Sequence, residues 1–207
     1  MTVDMTKRAR RKAERPTEIL DAAFEEFVKT GYSATRLEDV AKRAGVTKGT
    51  IYFYFETKER VFQEMMRHKS QELLPDLERL AAKSVGSHAQ RLRALVTFFL
   101  GRIAEDRAGR ETLRLLIAEG SRFPDMVDQY HDEFMQPVID HFKRVITAGV
   151  TAGEFRAASA TSFTEVAVSP AMLLSIWLML FGSRRALDIK SFTEASMDLM
   201  MKGIEER

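Results

Sequence analysis

The sequence contains no cysteine in 207 residues. Disulfides, thiolate metal sites and cysteine nucleophiles are therefore excluded. The composition suits a reducing compartment, and a cytoplasmic location is the expectation. Prolines number five and glycines eleven, few enough to allow long helices. Long apolar runs are missing too. The most apolar stretch, Val166 to Phe181, has 16 residues where a membrane span needs ~20, and Pro170 is expected to interrupt it. No secretory signal peptide is expected, because the opening MTVDMTKRARRK is basic with no apolar stretch behind it. There is no Gly-rich phosphate loop, G-x-S-x-G elbow or H-E-x-x-H pair. The four histidines, His68, His88, His131 and His141, are scattered. In His131-Asp132-Glu133 consecutive residues on a helix would point in different directions, which does not make a metal site. No catalytic residue, metal or cofactor is expected.

Charge is nearly balanced overall, at +2, but unevenly distributed. Residues 1–60 carry 13 Lys and Arg against 10 Asp and Glu, and the remainder carries 19 against 20. Six basic residues (Lys7, Arg8, Arg10, Arg11, Lys12, Arg15) crowd residues 1–15 against Asp4 and Glu14. A basic arm on a near-neutral body suits an anionic partner, nucleic acid or a membrane surface; the alternative is a solvated tail.

Apolar residues recur at helical spacing almost everywhere, and no alternating strand pattern is found, so the expected fold is all-α. Ile19, Leu20, Ala23, Phe24, Phe27 and Val28 make one stripe, which Gly31 should end. Thr35 and Glu38 have the spacing of a capping box for a helix burying Leu37, Val40, Ala41 and Ala44. Gly45 should break that helix, Thr47 cap a short third one to about Phe55, and Thr57 cap a fourth that Pro75 ends or kinks. A larger helical body follows, with apolar runs over 92–103, 112–118 and 126–150. Ser162-Phe163-Thr164-Glu165 and Ser191-Phe192-Thr193-Glu194 repeat one capping-box tetrapeptide at two expected helix starts. The segment 166–181 has no polar face. Such a helix is buried on several sides, either within one subunit or between two.

The chemistry lies in residues 35–58, TRLEDVAKRAGVTKGTIYFYFETK. Two short helices joined by a glycine turn match a helix-turn-helix, whose second helix enters the DNA major groove. At ~100° per residue, Ile51 and Phe55 fall on one side of that helix and Gly49, Thr50 and Phe53 on the other. An aromatic ring can pack on thymine methyls or sugars, and Gly49 lets the backbone approach closely. The hydroxyls of Tyr52 and Tyr54 suit phosphate oxygens, and Lys48 stands at the positive end of the helix dipole. Packing of the three aromatics between helices is the competing reading.

The stretch GYSATRLEDVAKRAGVTKGTIYFYFETKERVF resembles the DNA-binding signature of the tetracycline-repressor (TetR) family of bacterial transcription factors. The likeness spans residues 16–66. It implies Lys48, Gly49 and Phe53 at base edges, and Thr35, Arg36, Thr47, Thr50, Tyr52, Tyr54 and Lys58 at phosphates or the groove wall. Phe53 departs from the family pattern, which often has a polar residue or histidine there. The resemblance also implies a ligand-binding and dimerisation domain beyond residue 75, with a four-helix interface across a homodimer through 163–205. The resulting division is a basic arm (1–15), a DNA-binding head (16–58) and an effector and dimer body (59–207). In the body, Phe98, Arg102, Tyr130, Phe134 and Trp177 are candidates to bind a small apolar or aromatic effector. The expected function is a repressor released from a palindromic double-stranded operator by that effector, through the helix beginning near Thr57. The rival readings are an all-α small-molecule carrier or small enzyme without specific DNA binding, and a membrane-associated protein using 166–181.

Overall fold

The computed structural model describes residues 2–70, 73–83, 85–157, 162 and 164–204, without the side chains of 2–13, 81 and 82. Among them the chain is helical and has no strand. The helices are α1 (Thr2–Ala34), α2 (Leu37–Ala44), α3 (Lys48–Phe55), α4 (Lys58–Ser70), α5 (Leu74–Lys83), α6 (His88–Glu105), α7 (Arg107–Glu119), α8 (Pro124–Tyr130), α9 (Gln136–Thr151), α10 (Glu165–Phe181) and α11 (Ile189–Ile204), with a π turn at His131–Met135 between α8 and α9. None is long and apolar enough to cross a membrane. Of the arm's basic side chains, those of Lys7, Arg8, Arg10, Arg11 and Lys12 lie outside the described residues; Arg15 pairs with Glu18 at 3.2 Å.

The chain forms two compact units, Met1–Lys69 with Leu115–Val127, and Ser70–Arg114 with Asp128–Arg207. The unit carrying the helix-turn-helix thus extends past residue 58 and takes in a second segment that begins at Leu115. Its core is the expected stripe: Ile19, Ala23, Phe24 and Phe27 are buried, with Val40, Ile51, Val61 and Phe62. Tyr32 packs on Phe27 and Phe62 and meets Phe123 edge-on at 4.7 Å, which joins the 115–127 segment to this core. Gly31 interrupts α1 at φ 76°, a left-handed conformation that favours glycine.

Three expected helix starts form differently. The N-cap of α2 is Arg36, with no side-chain cap bond. The Thr35 hydroxyl instead donates to the Gly31 carbonyl at 2.6 Å, and Glu38 reaches Lys48. α11 starts at Ile189, since Asp188 accepts from the Lys190 and Ser191 amides and from the Ser191 hydroxyl. α10 starts at Glu165 with Thr164 before it and no side-chain cap; Phe163 of its expected box lies outside the described residues. A capping box does form at Ser87 and Gln90. Pro75 stands in the first turn of α5, a position where its missing N–H has no intrahelical partner to lose.

Pro170 does not interrupt α10. Without an N–H it leaves the Val166 carbonyl unpaired, and the Ser169 hydroxyl donates to that carbonyl at 2.8 Å. The second unit is built around Leu77, Leu92, Leu100, Val138, Phe142, Phe155, Leu174 and Met201. Phe155 lies over Gly149 so closely that a Cβ there would stand 2.2 Å from its ring. Beside it the Glu154 carboxylate accepts from the Ala89 amide at 3.0 Å, at the start of α6.

Candidate nucleic-acid interface

The turn between α2 and α3 is set by Gly45, left-handed at φ 65° and ψ 35°, followed by the Val46 amide donating to the Ala41 carbonyl at 3.0 Å. Thr47 then caps α3: its hydroxyl oxygen accepts from the Thr50 amide at 3.1 Å and pairs with the Thr50 hydroxyl at 2.9 Å. α2 is fastened to α1 by Arg43, whose Nε donates to Glu26 at 2.7 Å. These bonds fix how α3 rolls on the core. Ile51 and Phe55 face inward, at 0% and 7% exposure, and Phe53 faces outward at 74%. Tyr54 is half-buried and meets the Phe53 ring edge-on at 5.2 Å, while Tyr52 is exposed.

Arg36, Thr47, Lys48 and Gly49 are exposed and Thr50 is half-buried. A Cβ added at Gly49 would find only the Thr47 hydroxyl, at 3.7 Å, an ordinary contact. Packing within the protein therefore gives no reason for a glycine there. Lys48 pairs with Glu38 at 2.6 Å and lies 5.5 Å from the Tyr52 ring centroid. The hydrogen bond from Lys48 holds the Glu38 carboxyl below its usual range, and the same bond raises the Lys48 ammonium.

Two residues expected at phosphates have their polar groups bonded within the protein. Thr35 is buried at 4% exposure, its hydroxyl committed to the carbonyl of Gly31. The Lys58 ammonium donates to the Ser33 carbonyl at 3.2 Å and lies 4.7 Å from the Tyr32 ring centroid. Burial and the nearby Arg122 charge lower its pKa. Arg122 lies over the same ring at 4.8 Å, and Glu119 accepts from the Tyr32 amide at 3.4 Å. Sequence reasoning missed this cluster because its partners lie far apart in the chain, 25 positions for Lys58 and Ser33 and 87 positions for Tyr32 and Glu119. The spacing of Glu38 from Thr35 points to a cap, whereas its carboxylate pairs with Lys48.

The five effector candidates are in the second unit and line none of the three surface grooves described there, of about 940, 790 and 610 Å³. Tyr130 and Phe134 meet at 5.1 Å across the π turn, and Trp177 meets Phe181 at 5.1 Å. Phe98 is half-buried against the core, and Arg102 is 3.6 Å from Asp76. Burial, with the Asp106 charge, raises the Tyr130 hydroxyl far above its usual pKa. Among the described residues the buried Thr112 Oγ1 and Trp177 Nε1 have no hydrogen-bond partner. Among the described residues no group of three or more His, Asp or Glu could hold a metal ion.

Residues 19–65 match the model of the tetR family of bacterial regulatory proteins, and 83–182 match the tetracyclin repressor-like C-terminal domain. The chain is 30% identical over 149 residues to the HTH-type transcriptional repressor KstR2 of Rhodococcus jostii, covering 70% of each. The chain belongs to the TetR family. It is a DNA-binding transcriptional regulator of that family, and the all-α fold expected from the sequence is the one found. The fatty acid metabolism regulator protein of Bacillus subtilis is 21% identical over 200 residues, 95% of this chain and all of that one. The solved structure of the B. subtilis regulator FadR in complex with stearoyl-CoA shares the fold, with a TM-score of 0.68 at 18% identity over 91% of this chain and 99% of that one.

Proposed function

We propose that this TetR-family regulator is a homodimeric repressor that leaves a palindromic operator when a small, largely apolar or aromatic effector binds its second unit. The observation that carries the DNA half is the outward face of α3. There an exposed Phe53, a glycine with no packing duty and Lys48 share a helix that buries Ile51 and Phe55 on its other side. Lys48, Gly49 and Phe53 take the base edges. Arg36, Thr47, Thr50, Tyr52 and Tyr54 take phosphates or the groove wall. Thr35 and Lys58 are left out, because their polar groups are engaged with backbone carbonyls. A DNA partner makes the cytoplasm its place of work.

The dimer reading rests on α10 and α11. Val166, Leu173, Leu180 and Leu199 are 55–76% exposed. An apolar groove of about 610 Å³ runs between the two helices, lined by Pro170, Leu173, Phe192 and Met200 among others. So many exposed large apolar side chains on a helix pair suit a second copy of the same pair. The effector reading rests on the unpartnered Thr112 Oγ1 and Trp177 Nε1, which a ligand's polar group would satisfy, and on the π turn beside Tyr130, a deviation frequent at functional sites. The stearoyl-CoA bound to the FadR neighbour supports an apolar ligand class.

Effector and operator are coupled through the chain itself. The chain passes between its two units after Lys69, Arg114 and Val127, so α4, α7 and α8 all carry the connection. By linkage the effector weakens DNA by the factor that DNA weakens the effector, and a switch from ~1:99 to ~99:1 needs about 5.5 kcal/mol of differential binding. The test titrates hydrophobic compounds into protein bound to a fluorescent duplex recovered by selection, following Trp177 emission and duplex anisotropy together. Coincident changes support the reading; compounds that quench Trp177 without releasing DNA contradict it.

A further inference from the structure

α3 has an unusual set of side chains for a helix that reads bases. The strong readers of hydrogen-bonding edges are Arg, Asn and Gln, which bond two atoms of one base. Lys48–Phe55, KGTIYFYF, contains none of them. The polar groups it does have are largely engaged. The Thr50 hydroxyl pairs with Thr47, and Lys48 is held by Glu38. What the helix offers the groove freely is the Phe53 ring, exposed at 74% and steadied by the edge-on Tyr54 ring at 5.2 Å. Gly49, one turn back on the same face, removes the side chain that would hold that ring away from the bases.

A phenyl ring cannot donate or accept a conventional hydrogen bond, so it is blind to the donor and acceptor pattern of the major groove. The apolar feature there is the C5-methyl group of thymine. Building on the DNA-binding reading above, we propose that Phe53 is a specificity-determining residue that reads a pyrimidine C5-methyl group, and that it takes 5-methylcytosine as it takes thymine. Operator binding then responds to cytosine methylation at that base.

The experiment uses the full-length protein and a duplex recovered from a random pool. Each thymine is replaced in turn by uracil, which differs only in lacking the methyl group. At the sensitive base, cytosine is then compared with 5-methylcytosine, both opposite guanine. The wild type should lose about fourfold in affinity per half-site on going from thymine to uracil, and gain about fourfold from cytosine to 5-methylcytosine, the effect of burying one methyl group. Phe53→Ala should bind more weakly and show neither difference, while Phe53→Leu should keep part of both. Uracil tolerated at every position by the wild type overturns the inference, and so does a methyl effect that survives in Phe53→Ala. If Phe53→Ala misfolds, Phe53→Leu carries the assignment to this side chain, and the uracil series on the wild type still overturns the inference when uracil is tolerated throughout. Recovery of no duplex at all would overturn the DNA-binding reading itself, a different outcome from recovery of a site indifferent to methyl groups.

Discussion

Glu38 on α2 and Lys48 on α3 form an ion pair of 2.6 Å across the turn of the helix-turn-helix. Both side chains are exposed on the head, so the pair adds little to stability. Its consequence is for binding. Lys48 must leave Glu38 to meet DNA, and Glu38 itself repels phosphates. Glu38→Gln should therefore bind DNA roughly two- to fivefold more tightly, the scale of an exposed ion pair, with an unchanged melting temperature. Fluorescence anisotropy at fixed salt measures it; equal or weaker binding would show that Glu38 orients Lys48 usefully.

Gly49 separates folding from binding. Alanine there meets only ordinary contact with Thr47 and improves helix propensity. Gly49→Ala should melt no lower than the wild type, and up to ~1 kcal/mol more stable, yet bind DNA at least several-fold more weakly. Unchanged DNA affinity would mean that α3 does not approach the bases at this point.

Lys58 is where sequence and structure part. A phosphate clamp would lower the slope of log affinity against log salt by about 0.9 when removed. With its ammonium on the Ser33 carbonyl and the Tyr32 ring, Lys58→Ala should instead lower the melting temperature and leave the slope unchanged. A slope reduced by ~0.9 would return it to the DNA face.

What could be read locally was read well. The α1 stripe, the Thr47 cap and the opposite facing of Ile51 and Phe53 follow from spacing alone, because each depends on residues within one or two turns. The Thr35–Glu38 box failed because both side chains had better partners, one of them ten residues away. α10 continues through Pro170, with the Ser169 hydroxyl on the Val166 carbonyl, a rotamer that no sequence pattern reveals. In a helix apolar on every side, spacing also cannot say which residues meet their own subunit. Leu174 is fully buried and its neighbour Leu173 is 55% exposed. The effector candidates were least legible, because which of them come together depends on long-range packing, and only Tyr130 and Phe134 are in ring contact with each other.

That contrast sets the dimer test. Leu173→Arg should give a folded monomer by equilibrium sedimentation at micromolar concentration, whereas Leu174→Arg should unfold the second unit, since an unpaired buried charge costs several kcal/mol. A Leu173→Arg protein that still sediments as a dimer would rule out this face as the interface.

His141 sets a pH dependence. It is buried, and burial together with Arg144 lowers its pKa below 6.5; Glu78 and Asp140 act the other way. Its Nδ1 lies 2.8 Å from the Arg144 guanidinium and so accepts, leaving the proton of the neutral ring on Nε2. The folded state takes up this proton less readily than the unfolded state. Its contribution is therefore complete above pH ~6.5 and declines as pH falls from there through the lowered folded value. His141→Gln should flatten that part of the stability curve in thermal melts between pH 7 and 5. An unaltered curve would mean the ring already accepts its proton in the fold.

Selection of bound duplexes from a random pool by the protein tests most directly whether two α3 helices read two symmetry-related half-sites. The expected recovery is a palindrome whose half-sites are about one helical turn apart, or a small multiple of it. Recovery of no enriched sequence, or of a single unpaired half-site, would contradict it.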